Sequence, residues 1–215
     1  QLVPGGGALT KYLLQIPNIN FKTAEVDDEK VDFLVKTYPP LKEMIIHRDF
    51  LTIEKPFENK FTIVGNFPYN ISSQILFKIL EWKVDVECVI GMFQKEVAQR
   101  IKAKEGNKTY GVLSVLMQAF FEVQYLFEVS QGSFQPPPKV KSAVIRLLPV
   151  KNNLPLRSEK EFFLLVKTAF NQRRKILRNA VKNLFDAAIL EDELFNKRPE
   201  QLSVQDFATL TFKMK

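Results

Sequence analysis

Asn66, Phe67, Pro68 and Tyr69 follow directly on the apolar run Phe61-Thr62-Ile63-Val64, and their types suit recognition of an amino-bearing ring. Asn66 carries an amide oxygen that accepts a hydrogen bond from an amino group. Pro68 lacks an N–H and fixes its own φ, so the carbonyls around Phe67–Pro68 point outward from a stiffened backbone. Tyr69 offers a flat face on which a planar ring can stack. Acceptors beside a stacking surface describe a pocket for an aminated heterocycle such as adenine. The competing reading is a rigid strand-to-helix turn with Asn66 as its cap, a common turn composition. Four residues do not decide between the two.

Other residues add to the first reading. Pro4-Gly5-Gly6-Gly7-Ala8-Leu9-Thr10 is a glycine-rich loop leading into a helical pattern, where backbone can approach a ligand closely. Glu25 lies 18 positions after Gly7, a spacing at which an acid accepts both hydroxyls of a ribose. Asp49 follows the run Met44–His47 and could accept from an adenine amino group, with Phe50 stacking beside it; it could equally cap the next segment. Phe134 sits in the proline-braced stretch Phe134–Ser142, either a stiff linker or the second wall of a base sandwich with Tyr69. Such stacking is worth ~1–3 kcal/mol per base, which offsets the few kcal/mol needed to splay a base from its stack. The one histidine, His47, reads as structural, and no triad, metal cluster or general base assembles. Methyl transfer from a sulfonium to an aromatic amine asks for neither, because alignment of an activated donor does most of the work. Asn66–Tyr69 also resembles the Asn-x-Pro-Tyr/Phe motif of methyltransferases that use S-adenosylmethionine and act on amino nitrogens.

These residues need a scaffold. Apolar runs at Phe21–Val26, Met44–His47, Phe61–Val64 and Val86–Phe93 read as strands, separated by helical patterns near 8–15, 28–37 and 71–82. That alternation predicts crossover units on a parallel sheet. Two helices follow, from Gln94 and after Tyr110, then strands Phe120–Val129 and Ser142–Pro149 as a closing hairpin. Leu148–Ser158, with Pro149, Asn152, Asn153 and Pro155, reads as a linker. The domains expected are 1–150, an α/β catalytic domain, and 156–215, a small helical one. The chain opens without Met inside the glycine loop, and such a loop needs a leading strand, so an upstream strand and segment are expected.

Apolar residues make up 46% of the chain and charged residues 26%, enough for a substantial core, and without a run of about 18 apolar residues no membrane span is expected. A single cysteine, Cys88, fits a reducing cytosolic setting. Residues 151–182 carry 9 basic and 2 acidic side chains, while residues 1–150 carry 18 and 16. The excess thus gathers around Asn171–Asn179, read as a helix that is basic on one face, with Arg173, Arg174, Lys175 and Arg178. A solvated helix face is the ordinary reading of such a run; phosphate contacts are the functional one.

Taken together, Pro4–Leu14, Ala24–Asp27, Ile46–Phe50, Asn66–Leu76, Gln94–Ile101, Phe134–Ser142, Phe170–Asn179 and Arg198–Phe207 resemble the ribosomal RNA adenine N6,N6-dimethyltransferases. The match is to the KsgA type acting on small-subunit RNA. The resemblance implies a Rossmann-like S-adenosylmethionine-dependent methyltransferase fold with a small C-terminal helical, RNA-binding domain. It implies that Gly5 and Gly7 line the methionine part of S-adenosylmethionine, Glu25 holds its ribose, and Asp49 with Phe50 its adenine. Asn66 and the carbonyl around Phe67–Pro68 take the target amine's hydrogen bonds, with Asn66 also touching the cofactor. Tyr69 and Phe134 sandwich the target base. The implied partner is small-subunit ribosomal RNA in an immature subunit, bound by a cytoplasmic monomer without metal or membrane. Two adjacent adenines near the RNA 3′ end would each take two methyls. Gln1, Leu2 and Val3 depart from the family pattern, which has an acid, a variable residue and a glycine there, and its N-terminal Gln-x-Phe-Leu segment is not in the sequence. Three alternatives share parts of this pattern. One is the large-subunit RNA adenine methylase that confers antibiotic resistance. The others are a nucleic-acid-binding relative without catalysis, and a nicotinamide-dependent oxidoreductase.

Overall fold

The computed structural model describes residues 1–152, 154–172 and 174–215, which form two compact units. The first comprises Gln1–Lys95 and Gln124–Pro149. Its strands are β1 (Thr23–Glu25), β2 (Ile45–His47), β3 (Phe61–Asn66), β4 (Val86–Gln94), β5 (Phe121–Val129, from Gln124 onward) and β6 (Ser142–Pro149). β1 pairs parallel with β2, and β3 pairs parallel with β4. Leu2 bridges both Ala24 of β1 and Gly65 of β3. Leu2 N donates to Val64 O at 2.9 Å and Ala24 N to Gln1 O at 3.1 Å, so Gln1 and Leu2 lie between β1 and β3 ahead of the glycine loop. The order is therefore β2, β1, Leu2, β3, β4, β6, β5. β6 does more than close a hairpin: it inserts beside β4, antiparallel, with Val89 opposite Leu147 and Gln94 opposite Ser142.

Helices of this unit follow their caps. α1 (Thr10–Leu13) is a single turn, shorter than the expected 8–15. Gly5 and Gly7 occupy positive φ before it, and Pro17 disfavours helix at Ile16 after it. α2 (Asp28–Thr37) starts where the Asp27 carboxylate accepts from Lys30 N, and Pro39-Pro40 end it. α3 (Ser72–Glu81) buries Ile75, Leu76, Ile79 and Leu80, the i, i+3, i+4 stripe of an amphipathic helix. A cavity of about 740 Å³ is lined by Phe21, Lys22, Phe57 and Phe61 at the amino ends of β1 and β3, away from the strand ends that carry the candidate residues.

The second unit comprises Glu96–Val123 and Val150–Lys215, not the 156–215 anticipated. α4 (Lys95–Lys102) and α5 (Val112–Phe120) group with α6 (Glu159–Asn171), α7 (Leu177–Val181) and α8 (Val204–Thr211). The reason lies in α5, which buries Leu113, Val115, Leu116, Met117 and Ala119 and packs with α6 and α8. Phe162, Leu165 and Val166 of α6 and Phe207 and Leu210 of α8 are buried as well, and the Phe120 ring tilts against Phe163 at 6.1 Å. Gln118 Nε2 donates to Ile101 O at 2.7 Å and Ala103 O at 2.8 Å, satisfying the carbonyls where α4 ends. The basic stretch expected as one helix is instead a break between α6 and α7. Lys175 N donates to Gln172 O at 2.8 Å, closing a turn, and Ile176 is extended at φ −64, ψ 154. No helix among the described residues is long and apolar enough to cross a membrane.

Candidate active site

Every site residue predicted in the first unit follows the carboxyl end of a strand or the loop opening β6. Glu25 ends β1, Asp49 lies just past β2, the Gly5–Gly7 loop follows Leu2, and Asn66 ends β3. That edge is where ligands bind in open α/β sheets.

The Asn66–Tyr69 loop is set by a slot that the sequence reading missed. Gly65 and Gly91 are partners across β3 and β4. A Cβ on Gly91 would lie 2.3 Å from the Phe67 ring, and one on Gly65 would lie 2.7 Å from it. Phe67 fills the space these glycines leave, 1% exposed, with its ring 4.7 Å from that of Phe93. Its N–H donates to Met92 O at 3.1 Å. Phe67 thus anchors the loop from below, while Asn66 stays exposed at the strand end. The signal was in the sequence: two glycines inside apolar strands mark close approach of another group.

Pro68, at φ −62 and ψ 133, directs the chain into the single turn Tyr69–Ile71. Its carbonyl accepts long bonds from Ser72 Oγ at 3.3 Å and Ile71 N at 3.4 Å. The half-buried Tyr69 hydroxyl is hydrogen-bonded to the Ser142 hydroxyl. Ser142 opens β6 directly after the proline-rich loop, and Phe134 is half-buried at that loop's start. The two candidate stacking residues therefore ride on segments that meet at Ser142. On the same flank Lys95 pairs with Glu128 at 2.7 Å; this bond holds the Glu128 carboxyl below its ordinary range and raises the Lys95 ammonium.

The cofactor side is built from backbone. Gly5 and Gly7 take φ of +53 and +80, and a Cβ on Gly7 would meet the Tyr38 ring at 2.7 Å. Glu25 is 4% exposed. Its Oε1 accepts from Val26 N at 3.0 Å and Asp27 N at 3.2 Å, while Oε2 is buried with no hydrogen-bond partner. A buried carboxylate oxygen left open is what a ribose hydroxyl would satisfy, so the donor set fits an adenosine-bearing cofactor. Nearby, backbone and side-chain bonds from Lys30 hold the Asp27 carboxyl below its ordinary range. Asp49 is exposed and its Oδ1 accepts from Leu51 N at 2.9 Å, so it also closes its own turn. Phe50 differs from its expected stacking role. It is 5% exposed and packs edge-on against Trp82 with centroids 5.2 Å apart, because the core beneath β3 offers more apolar surface. His47 pairs with Asp28 at 3.0 Å, a structural contact.

Val3 stands where the resembled family has glycine, yet keeps a left-handed φ of +48. Gln1 stands at the acid's position, where its Oε1 accepts from Thr10 Oγ1 at 2.8 Å. In the second unit Arg174 and Lys175 are exposed on the turn, and Arg178 faces Glu191 at 4.0 Å. Arg173 lies outside the described residues.

The sequence pattern of the ribosomal RNA adenine dimethylase family matches residues 1–211. The ribosomal RNA small subunit methyltransferase A of Cytophaga hutchinsonii is 52% identical over 98% of this chain and 83% of its own. The protein of the same name from Flavobacterium johnsoniae is 53% identical over 100% of this chain and 83% of its own. A dimethyladenosine transferase from Plasmodium falciparum superimposes with a TM-score of 0.80 at 25% identity, covering 97% of this chain and 86% of its own. The 23S rRNA methyltransferase ErmE shares the fold with a TM-score of 0.69 at 24% identity, over 97% of this chain and 89% of its own.

Proposed function

The chain belongs to the ribosomal RNA adenine dimethylase family, and from that premise we propose that it transfers methyl groups from S-adenosylmethionine to N6 of adenines in small-subunit ribosomal RNA. Its fold is that of S-adenosylmethionine-dependent methyltransferases. The substrate is an immature small subunit, in which two adjacent adenines near the RNA 3′ end each receive two methyls. The protein works as a monomer in the cytoplasm.

The observation that carries this reading is the shared strand edge. There Asn66 is exposed at the end of β3, three residues before Tyr69, and Leu2 bridges the neighbouring Gly65 to Ala24, next to Glu25 with its buried, unpartnered Oε2. The bound cofactor supplies a methyl group already activated on a sulfonium. Glu25 holds the ribose and the Gly5–Gly7 backbone the methionine part, with Asp49 at the adenine. Asn66 Oδ1 and a carbonyl around Phe67–Pro68 accept from the target amine, which points the nitrogen lone pair along the transfer direction. Tyr69 and Phe134 stack on the two faces of the flipped base. No general base is required, since the methylated nitrogen releases its proton to water. Arg174, Lys175 and Arg178, with Arg173, neutralise RNA phosphates from the C-terminal helical unit.

Asn66→Ala tests the site. Methyl incorporation into immature small subunits is expected to fall by roughly 10²-fold or more, as for loss of a transition-state hydrogen-bond partner, with cofactor affinity reduced less. An Asn66→Ala protein that methylates at the original rate refutes the pocket assignment. Label entering only immature large subunits with the unsubstituted protein refutes the substrate and favours the resistance-type methylase.

A further inference from the structure

The hydroxyls of Tyr69 and Ser142 are hydrogen-bonded although 73 positions separate them in the chain. Ser142 is 0% exposed and lies opposite Gln94 in the β4–β6 ladder, which Lys95 N continues by donating to Lys141 O at 2.9 Å. Its hydroxyl therefore hangs from backbone that the sheet fixes. Tyr69 lies outside that ladder, in a three-residue turn where Ser72 Oγ donates to Tyr69 O at 3.2 Å and Pro68 O at 3.3 Å. In such a turn a tyrosine ring could sample several staggered χ1 wells.

We propose that Ser142 is a positioning residue that aims the Tyr69 ring, an inference resting on the reading of Tyr69 as a stacking face. Anchoring the phenol oxygen selects one χ1 rotamer. Because the phenolic O–H lies close to the plane of its ring, the bond also biases the ring's tilt. Ser142 immediately follows the loop that carries Phe134, so the same hydroxyl pair ties one wall of the base clamp to the segment bearing the other. A clamp set in advance spends less of the stacking energy on ordering its own walls.

Methylation kinetics of Ser142→Ala, Tyr69→Phe, the double variant and Tyr69→Ala, measured with immature small subunits, test this. Ser142→Ala and Tyr69→Phe should each lower kcat roughly 10-fold, because small misplacements of a reacting group cost one to two decades. The RNA KM should change by no more than about 2-fold, since phosphate contacts dominate affinity. The double variant should be no slower than either single one, because both remove the same bond. A bond that served folding alone would lower the melting temperature and leave kcat of the folded protein intact, which overturns the proposal. So does a multiplicative loss in the double variant. If Ser142→Ala does not fold, Tyr69→Phe carries the same prediction with Ser142 in place. Full activity in Tyr69→Ala removes the stacking reading itself; an inactive Tyr69→Ala beside a fully active Ser142→Ala overturns only the role of Ser142.

Discussion

Glu25 is held at a cost. One carboxylate oxygen is satisfied by two backbone amides and the other is buried without a partner, a situation worth about 1–3 kcal/mol of destabilisation. Binding of a ribose would recover that energy. Glu25→Gln keeps an oxygen for Val26 and Asp27 but turns the second acceptor into a donor. S-adenosylmethionine affinity measured by calorimetry should drop roughly 10- to 100-fold, the loss of a hydrogen bond to a charged group. The cofactor-free melting temperature should hold or rise. Equal affinity in the variant would detach Glu25 from the ribose. Val3 is a second stored strain. A β-branched residue at φ +48 sits in a region that costs an L-residue about 1–2 kcal/mol. Glycine there relieves the strain but adds about 0.4–1 kcal/mol of unfolded-chain entropy. Val3→Gly is therefore expected to gain about 0.5–1 kcal/mol, a melting-temperature rise of about 1–4 °C. A fall in melting temperature would mean that the Val3 side chain contributes more packing than its backbone costs.

At the scale of elements, the catalytic loop is aligned by a glycine pair. With a Cβ on Gly91 only 2.3 Å from the Phe67 ring, Gly91→Ala must move Phe67 or part β3 from β4. Overpacking of this kind costs typically about 1–3 kcal/mol, and Asn66 and Tyr69, on either side of Phe67, would shift with it. The variant should lose methylation more than cofactor binding, since Glu25 and the Gly5–Gly7 loop lie across Leu2 on other strands. Equal loss of both would point to general destabilisation. This also shows how far the sequence could be read. All six strands were legible within a residue or two because apolar runs between turn signals have few other solutions. The strand-end positions of Glu25 and Asn66, with Tyr69 in the turn that follows, were legible because an apolar run stops at each. The Phe67 slot was not, because a glycine's purpose depends on what approaches it in space. The 171–179 stretch misled because helical spacing of Ile176, Leu177 and Val181 says nothing of the turn closed from Gln172, and phasing carries across a break of a few residues.

For the whole molecule, charge is the property that no single element explains. The chain is +7 overall, yet residues 1–150 contribute only a small share, and residues 183–215 hold 4 basic against 6 acidic side chains. The excess is concentrated where α6 gives way to α7, and a turn projects Arg174 and Lys175 outward where a straight helix would distribute them around its axis. Arg178 differs from them. Its Nε is buried without a partner and its guanidinium faces Glu191 at 4.0 Å, so part of its charge is already answered within the protein. Two exposed cations that each neutralise one phosphate should steepen the salt dependence of RNA binding by about 0.7–0.9 per contact. Replacing Arg174 and Lys175 by Gln together should therefore flatten the slope of log K against log salt by about 1.5, with affinity falling evenly across RNA sequences. Arg178→Gln alone should flatten it by less than either. Binding curves at four or five salt concentrations decide the matter: a slope unchanged in the double variant returns the turn to ordinary solvated surface, and a larger effect from Arg178 than from Arg174 would mean that Glu191 releases it when RNA binds.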